Sequence, residues 1–316
     1  MIETRLLRNA IILAEHRNFA RAAQTLNISQ PTLTRNIQLL ENRIGARLFD
    51  RKARTVLPTP VGEELLKHAR LIVSSTQALE DGMQHYLGME TGRLSIGAAL
   101  YAASSLLGQA IGRFREQHPN ISIKIEVDNW INLHDRLRHA EFDFILAETS
   151  ELNKKPGLEA MNLIQHQAFF FCRRGHPLLK TTLQTPIDLL RFPLILPTLP
   201  ERIANLFRQL FKKTGGDMQA IEKMTTIQCN DISVIKDTVA NSNAIGISIY
   251  GALVEELKQK LFVALPFRIP ELKSNYGILR RRGFSLSPAA SAFIDILIEI
   301  DTALSEQETP LVESLG

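Results

Sequence analysis

Over the first sixty residues, apolar positions recur three and four apart in short runs, the pattern of small amphipathic helices. Leu33, Ile37 and Leu40 share one face of a helix that Ser29 can open as N-cap, with Pro31 tolerated in the first turn. Gln30, Pro31, Thr34, Arg35 and Gln38 fall on the opposite face, and Thr32 lies in the same opening turn. A shorter helix over Phe19–Leu26 precedes it and is expected to bury Ala20, Ala23 and Leu26. The polar break Asn27–Ser29 separates the two, an arrangement that predicts a helix-turn-helix DNA reader. Phe49–Pro58 predicts a short hairpin, or wing, beside it. From Thr59 to about Met89 the chain has no strong breaker apart from Pro60 and Gly82. Leu65, Ala69, Ile72, Thr76, Leu79, Met83 and Tyr86 alternate steps of four and three there, a heptad seam suited to pairing with a second helix. Packing of that helix on its own domain is the plainer alternative.

After a hinge at Gly88–Gly92 the pattern changes to short apolar runs alternating with helical stretches. Strands are expected at Leu94–Ala98, Ile121–Val127, Phe142–Leu146, Gln167–Cys172, Pro193–Leu196, Thr226–Cys229, Ala244–Ile249, Leu261–Leu265 and Asn275–Leu279. Helices are expected at Ser105–His118, Leu133–Ala140, Ile203–Thr214, Ile232–Asn241 and Pro288–Leu304. Such alternation predicts an α/β fold with a parallel sheet covered on both faces. Ligands of open α/β sheets bind outside the carboxyl ends of the strands. The loops Ala99–Ser104, Asp128–Trp130, Glu148-Thr149, Pro197-Thr198 and Ile247–Tyr250 are therefore the candidate site. The chain divides into a mostly helical head (1–58), a linker helix (59–89) and an α/β part (90–316).

Charge sharpens the first assignment. Residues 1–58 hold ten basic and four acidic residues, a net +6 against +4 for the whole chain, so the other 258 residues carry −2. A basic head on a near-neutral body suits a polyanion. Gln30 and Thr34 can read base edges and Arg35 can bind guanine or phosphate. Arg51 and Arg54 on the wing would grip the backbone. One such helix covers only a few base pairs, so a dimer reading an interrupted palindrome is expected. No signal peptide is visible and no apolar run approaches the ~20 residues that span a bilayer, so a cytoplasmic protein without membrane contact is expected. There is no phosphate loop, nucleophile elbow or paired metal ligands; the expectation is no catalysis, metal or cofactor beyond a small-molecule co-inducer.

Three stretches carry a family likeness: Ser29-Gln-Pro-Thr-Leu-Thr-Arg-Asn-Ile, Leu40-Glu-Asn-Arg-Ile-Gly-Ala-Arg-Leu-Phe-Asp-Arg and Leu57-Pro-Thr-Pro-Val-Gly-Glu. With them, Phe19–Pro58 resembles the winged helix-turn-helix of LysR-type transcriptional regulators. Phe114-Arg-Glu-Gln-His-Pro119, Phe142-Asp-Phe-Ile-Leu146, Arg174-Gly-His-Pro-Leu178 and Ala244-Ile-Gly-Ile-Ser248 extend the resemblance over nearly the whole chain. It implies a two-lobed effector domain like periplasmic solute-binding proteins, with lobe I at 92–162 and 268–316 and lobe II at 163–267. It also implies dimers that pair into tetramers, and contact with RNA polymerase.

The resemblance assigns an effector site to Ala99, Tyr101, Ser104, Asn129, Trp130, Thr149, Thr198 and Ile247. Ala99 stands where many relatives have a small hydroxyl, and Tyr250 where proline is frequent. A helix start with Ser104 can bind an anion. Yet Tyr101, Tyr250 and Trp130, the single tryptophan, favour a larger or more apolar effector, aromatic among the options. Some members of this family sense peroxide through a cysteine pair. Here Cys172 lies in the apolar run Phe169-Phe-Phe-Cys, without a sign of thiolate activation. Two rival classes remain open: a transporter's solute-binding component, and a nucleic-acid enzyme using the head for targeting.

Overall fold

The computed structural model describes residues 2–52, 55–86, 92–152, 157–181, 186–213 and 225–315. They form two compact units, one within Met1–Thr91 and the other comprising Gly92–Leu137 and Phe142–Gly316.

The first unit contains α1 (Thr4–His16), α2 (Phe19–Thr25), α3 (Gln30–Ile44), the antiparallel pair β1 (Phe49–Lys52) and β2 (Thr55–Pro58), and α4 (Pro60–Tyr86). Local caps set its boundaries. The Asn18 side chain accepts from the N–H groups of Ala20 and Arg21 at 2.9 and 3.1 Å and opens α2. Gly45, at φ +80°, ends α3 in the left-handed conformation that glycine adopts without steric cost. The Glu41 carboxylate then accepts from Leu48 and Phe49 N–H at 2.9 and 3.3 Å, tying α3 to the wing. Leu6, Ala10 and Leu13 of α1 share a buried core with Ala22, Ala23, Leu33, Ile37, Leu40, Leu48, Val56, Leu66 and Ala69. Ala20, expected inside, is exposed. The packed face of α2 runs through Phe19, Ala22, Ala23 and Leu26, so Ala23 and Leu26 pack as expected and Ala22 takes the place of Ala20.

The heptad seam of α4 divides into two uses. Ala69 is buried in the head's core and Leu65 packs against it, so the first turns serve their own domain. Beyond them Ile72, Leu79 and Met83 stand 48%, 65% and 52% exposed. The end of the expected linker and most of the expected hinge, residues 87–91, lie outside the described residues.

The second unit holds two five-stranded sheets. Sheet one has the order β4 (Ile121–Val127), β3 (Gly92–Ala98), β5 (Phe144–Glu148), β12 (Tyr276–Arg281), β6 (Leu158–Asn162). Sheet two has the order β11 (Phe262–Ala264), β7 (Ala168–Arg173), β10 (Ile245–Ile249), β8 (Leu194–Leu196), β9 (Thr225–Gln228). Neither is wholly parallel, contrary to the expectation. β3 is parallel to β4 and β5, but β12 runs antiparallel to β5 and β6. Likewise β8 is parallel to β9 and β10, while β7 is antiparallel to β10 and β11. The two returning strands come from far along the chain, so local alternation could not reveal their direction. β6 was not expected at all.

The helix expected from Ser105 begins earlier. It runs as α5 (Leu100–Ala102), a π-helical turn (Ala103–Leu107) and α6 (Gly108–Gln117). α7 (Trp130–Arg138) opens three residues before the expected Leu133. α8 (Glu201–Lys213), α9 (Ile232–Asn241) and the short α10 (Val254–Lys258) cover sheet two. α11 (Pro288–Ser314) continues ten residues beyond the expected end at Leu304. Its first turns pack Phe293, Leu297, Ile300 and Leu304 into the core of sheet one, and its last place Leu311 and Leu315 against a cluster containing Phe169 and Phe171 of sheet two.

Two crossovers connect the lobes, and α11 holds one of them. His166, 4% exposed, lies between two carboxylates of α11, its Nε2 2.9 Å from Asp301 and its Nδ1 2.9 Å from Glu308. Asp301 also accepts from Ile164 N–H at 2.8 Å. His166 N–H donates to Ser274 Oγ at 2.9 Å, and Ser274 N–H to His166 O at 2.8 Å, so the second crossover is tied in as well. Burial alone would favour the neutral imidazole, but the bonds and charges of Asp301 and Glu308 raise the His166 pKa to about 9. The ring is therefore a cation held by two anions at neutral pH.

Candidate functional site

In the first unit, the polar face of α3 is displayed as its spacing requires. Ser29 caps the helix, its Oγ accepting from Thr32 N–H at 3.3 Å and meeting Thr32 Oγ1 at 2.7 Å. That pairing occupies both hydroxyls in local structure. Gln30, Pro31, Thr32, Arg35 and Gln38 are exposed and Thr34 is half-buried, while Leu33, Ile37 and Leu40 anchor the opposite face. Arg51 lies on wing strand β1; Arg54 falls outside the described residues. A rigid helix that presents amide, hydroxyl and guanidinium groups in a row is suited to hydrogen-bonding base edges in a major groove.

In the second unit, a cleft lies between the two sheets' strand ends. Ala99, Tyr101, Asn129, Trp130, Thr198 and Ile247 of the expected site line it. Ser104 and Thr149 do not. Ser104 sits a turn past the helix start, donates to Tyr101 O at 3.1 Å, and lines a separate polar groove with Arg113, Lys236 and Glu255. Thr149 donates through Oγ1 and N–H to Asn275 O. It lies just past the end of β5, turned to Asn275, while Glu148 as the last strand residue lines the cleft. Tyr250 packs against the lobe cores instead of the cleft.

Side-chain bonds cross the cleft from lobe to lobe. Tyr101 hydroxyl donates to Ile247 O at 2.6 Å. Trp130 Nε1 donates to Thr198 O at 3.3 Å. Arg202 places Nε and Nη2 each 3.3 Å from the Glu148 carboxylate and donates to Lys273 O at 2.6 Å. Glu148 is only 3% exposed, while the Arg202 side chain keeps 30% of its surface open to water. Tyr276 lies close by: burial, then the Glu148 charge, pushes its phenol pKa well up, and it stays a neutral donor. Arg202 and Tyr276 were not singled out in sequence, and Glu148 only as part of a loop. The rule about strand ends reached the Glu148-Thr149 loop, but nothing local predicts Arg202 opposite it.

Burial pushes the Cys172 thiol up to about 12, the reverse of an activated thiolate. Both cysteines are free. Among the described residues, no group of three potential ligands is placed to hold a metal ion, and no helix is long and apolar enough to cross a membrane.

Residues 4–63 match the family described as bacterial regulatory helix-turn-helix protein, lysR family, and residues 88–301 match the LysR substrate binding domain. The chain is 34% identical over 305 residues to the SDS degradation transcriptional activation protein of Pseudomonas sp. (strain ATCC 19151), covering 95% of this chain and 97% of that protein. Among solved structures it is similar to a full-length, singly substituted OxyR from Pseudomonas aeruginosa, at 21% identity, 95% of each chain and a TM-score of 0.68. It is similar also to full-length CbnR complexed with its target DNA, at 20% identity, 95% of this chain, 100% of that one and a TM-score of 0.63.

Proposed function

The chain belongs to the LysR-type family of transcriptional regulators, and from that premise we propose how this member reads DNA and is switched. Gln30, Thr34 and Arg35 meet base edges, Gln38 and the residues around Ser29 and Thr32 adjoin them, and Arg51 holds phosphate. The observation that carries this reading is the polar face of α3, exposed while its apolar face is locked in the head's core. The experiment is selection of bound sequences by the full chain at two salt concentrations. An enriched interrupted palindrome supports the reading; salt-sensitive binding without enrichment overturns it. Arg51→Ala is expected to weaken all sequences alike and lower the salt slope by about one, and Gln30→Ala to relax specificity at one position.

The acting species is a dimer, or a pair of dimers, joined through α4. The exposed Ile72, Leu79 and Met83 support this, since apolar side chains at heptad spacing are covered when a second helix packs on them. Leu79→Glu with Met83→Glu is expected to give a monomer by light scattering, with operator affinity falling sharply because two half-sites are no longer read together. An unchanged mass would remove α4 from the interface.

The effector occupies the cleft between the lobes and shifts the population of lobe arrangements, which changes how the heads engage the promoter. The bonds that span the cleft support this, because a ligand must break or reinforce them. The Pseudomonas relative acts in SDS degradation, so amphiphiles with a long alkyl chain are first to be tried. The regulator acts without catalysis, in the cytoplasm, with RNA polymerase as a further partner. A solute-binding transport component is disfavoured by the DNA-reading head; cell fractionation tests it.

A further inference from the structure

Most polar groups of the cleft are engaged by one another. Asp128 accepts from Asn129 N–H at 2.7 Å and the Asn132 amide at 3.1 Å, and pairs with Arg136 at 3.6 Å. Asn129 Oδ1 caps α7 by accepting from Asn132 N–H at 3.0 Å. Thr198 Oγ1 accepts from the Gln228 and Asn230 amides at 3.1 and 3.0 Å, and Thr198 N–H donates to Asn230 Oδ1 at 2.8 Å. Tyr101 and Trp130 spend their donors on the opposite lobe's carbonyls. Arg202, the guanidinium lining the cleft, is engaged by Glu148 and by Lys273 O. The donors left are the Tyr276 hydroxyl, which makes no hydrogen bond among the described residues, the Asn129 amide nitrogen, Nη1 of Arg202, and the exposed Lys273 side chain at the rim. The remaining walls are apolar, from Leu100, Ile203, Ile247, Ile249 and Leu272.

From this we infer the ligand's class, resting on the reading that the cleft is the effector site. It is an uncharged, mainly apolar molecule with a hydroxyl or carbonyl head, and Glu148 is the specificity residue that holds Arg202 back from anions. An anionic head that drew Arg202 away would leave the buried Glu148 carboxylate with only the Ser150 N–H, 3.2 Å from Oε1, and uncovering a buried charge in this way is unfavourable. An anion at Lys273 would gain little, because an exposed ion pair is weak. A hydroxyl or carbonyl needs only the free Tyr276 phenol, while the alkyl or aryl body buries apolar surface.

Trp130, the single tryptophan, lines the cleft and reports on it directly. The full-length protein is titrated with 1-octanol, octanoate and octyl sulfate below their aggregation limits, following tryptophan emission. Octanol is expected to give a saturable shift, with both anions weaker by about tenfold or more. Glu148→Gln should bring the anions to within a few-fold of octanol. The double variant Glu148→Gln/Arg202→Gln should reject them again, and Tyr276→Phe should weaken octanol several-fold. Anions that bind wild type as tightly as octanol, a Glu148→Gln variant with unchanged preference, or no response to any of the three overturns the assignment. Operator binding is measured on every sample. If it persists while the ligand series fails, the ligand class falls alone; if an anion shifts both emission and operator affinity, the effector cleft stands with a different occupant. Operator binding by each variant also shows that it has folded.

Discussion

Asp301→Asn is expected to lower the unfolding free energy of the second unit by about 3 kcal/mol, at the low end of the ~3–5 kcal/mol cost of removing one member of a buried ion pair. The imidazolium of His166 would keep Glu308 but lose the anion at Nε2, where little water can replace it. The same group sets a pH dependence. The His166 pKa rises from 6.5 to about 9 on folding, so between those values the folded chain holds a proton that the unfolded chain has released. The stabilisation is complete below pH 6.5 and is lost as pH rises through about 9, amounting to about 3 kcal/mol. Denaturant unfolding of the full chain at about pH 6, 7.5 and 9.5, beside His166→Gln, isolates this contribution from other groups that titrate in alkali. The wild-type advantage over the variant should shrink across the series. A constant difference would mean that the ring is neutral and bound only by ordinary hydrogen bonds.

Gly62→Ala is expected to cost the head about 2 kcal/mol or more and to abolish operator binding. Two effects oppose each other. Alanine in a helix is better than glycine by about 1 kcal/mol. A Cβ at position 62, however, would lie 2.0 Å from the carbonyl oxygen of Leu48, and the obstacle is backbone that cannot rotate away. Overpacking of about 1–3 kcal/mol is typical even where side chains can adjust. The clash wins, and relief requires α4 to lift from the turn that Thr59 fastens by accepting from Gly62 N–H at 3.0 Å and donating to Arg47 O at 2.8 Å. Thermal unfolding of the full chain and titration with a selected operator give the two readouts. A variant of wild-type stability would show that the start of α4 is free to shift.

The contrast between the two units shows what a sequence discloses. In the head, caps and periodicity are local: Ser29 stands beside the N–H it accepts from, and Leu33, Ile37 and Leu40 share a face because of the helical pitch alone. Ala20 and Ala22 exchange places because two alanines in one short helix carry almost no signal about which side meets a neighbour. In the α/β part the element types are legible, but β12 pairs with β5 after more than a hundred intervening residues, and its direction depends on the path between. The cleft follows the same logic. Its lobe I floor, Ala99, Tyr101, Asn129 and Trp130, follows from strand ends. Arg202 is an ordinary first-turn arginine of an amphipathic helix until the fold brings it to Glu148. Thr149, one residue past β5, is taken up by Asn275 and not by the cleft.

The last ten residues of α11 have a practical consequence. Here Glu308 grips the crossover, and Leu311 and the 5%-exposed Leu315 are packed against lobe II. A truncation that stops near Leu304 would remove Glu308, Leu311 and Leu315 and so damage the joint between the lobes. An inducer response lost in such a derivative would report damage to that joint and not the absence of an inducer.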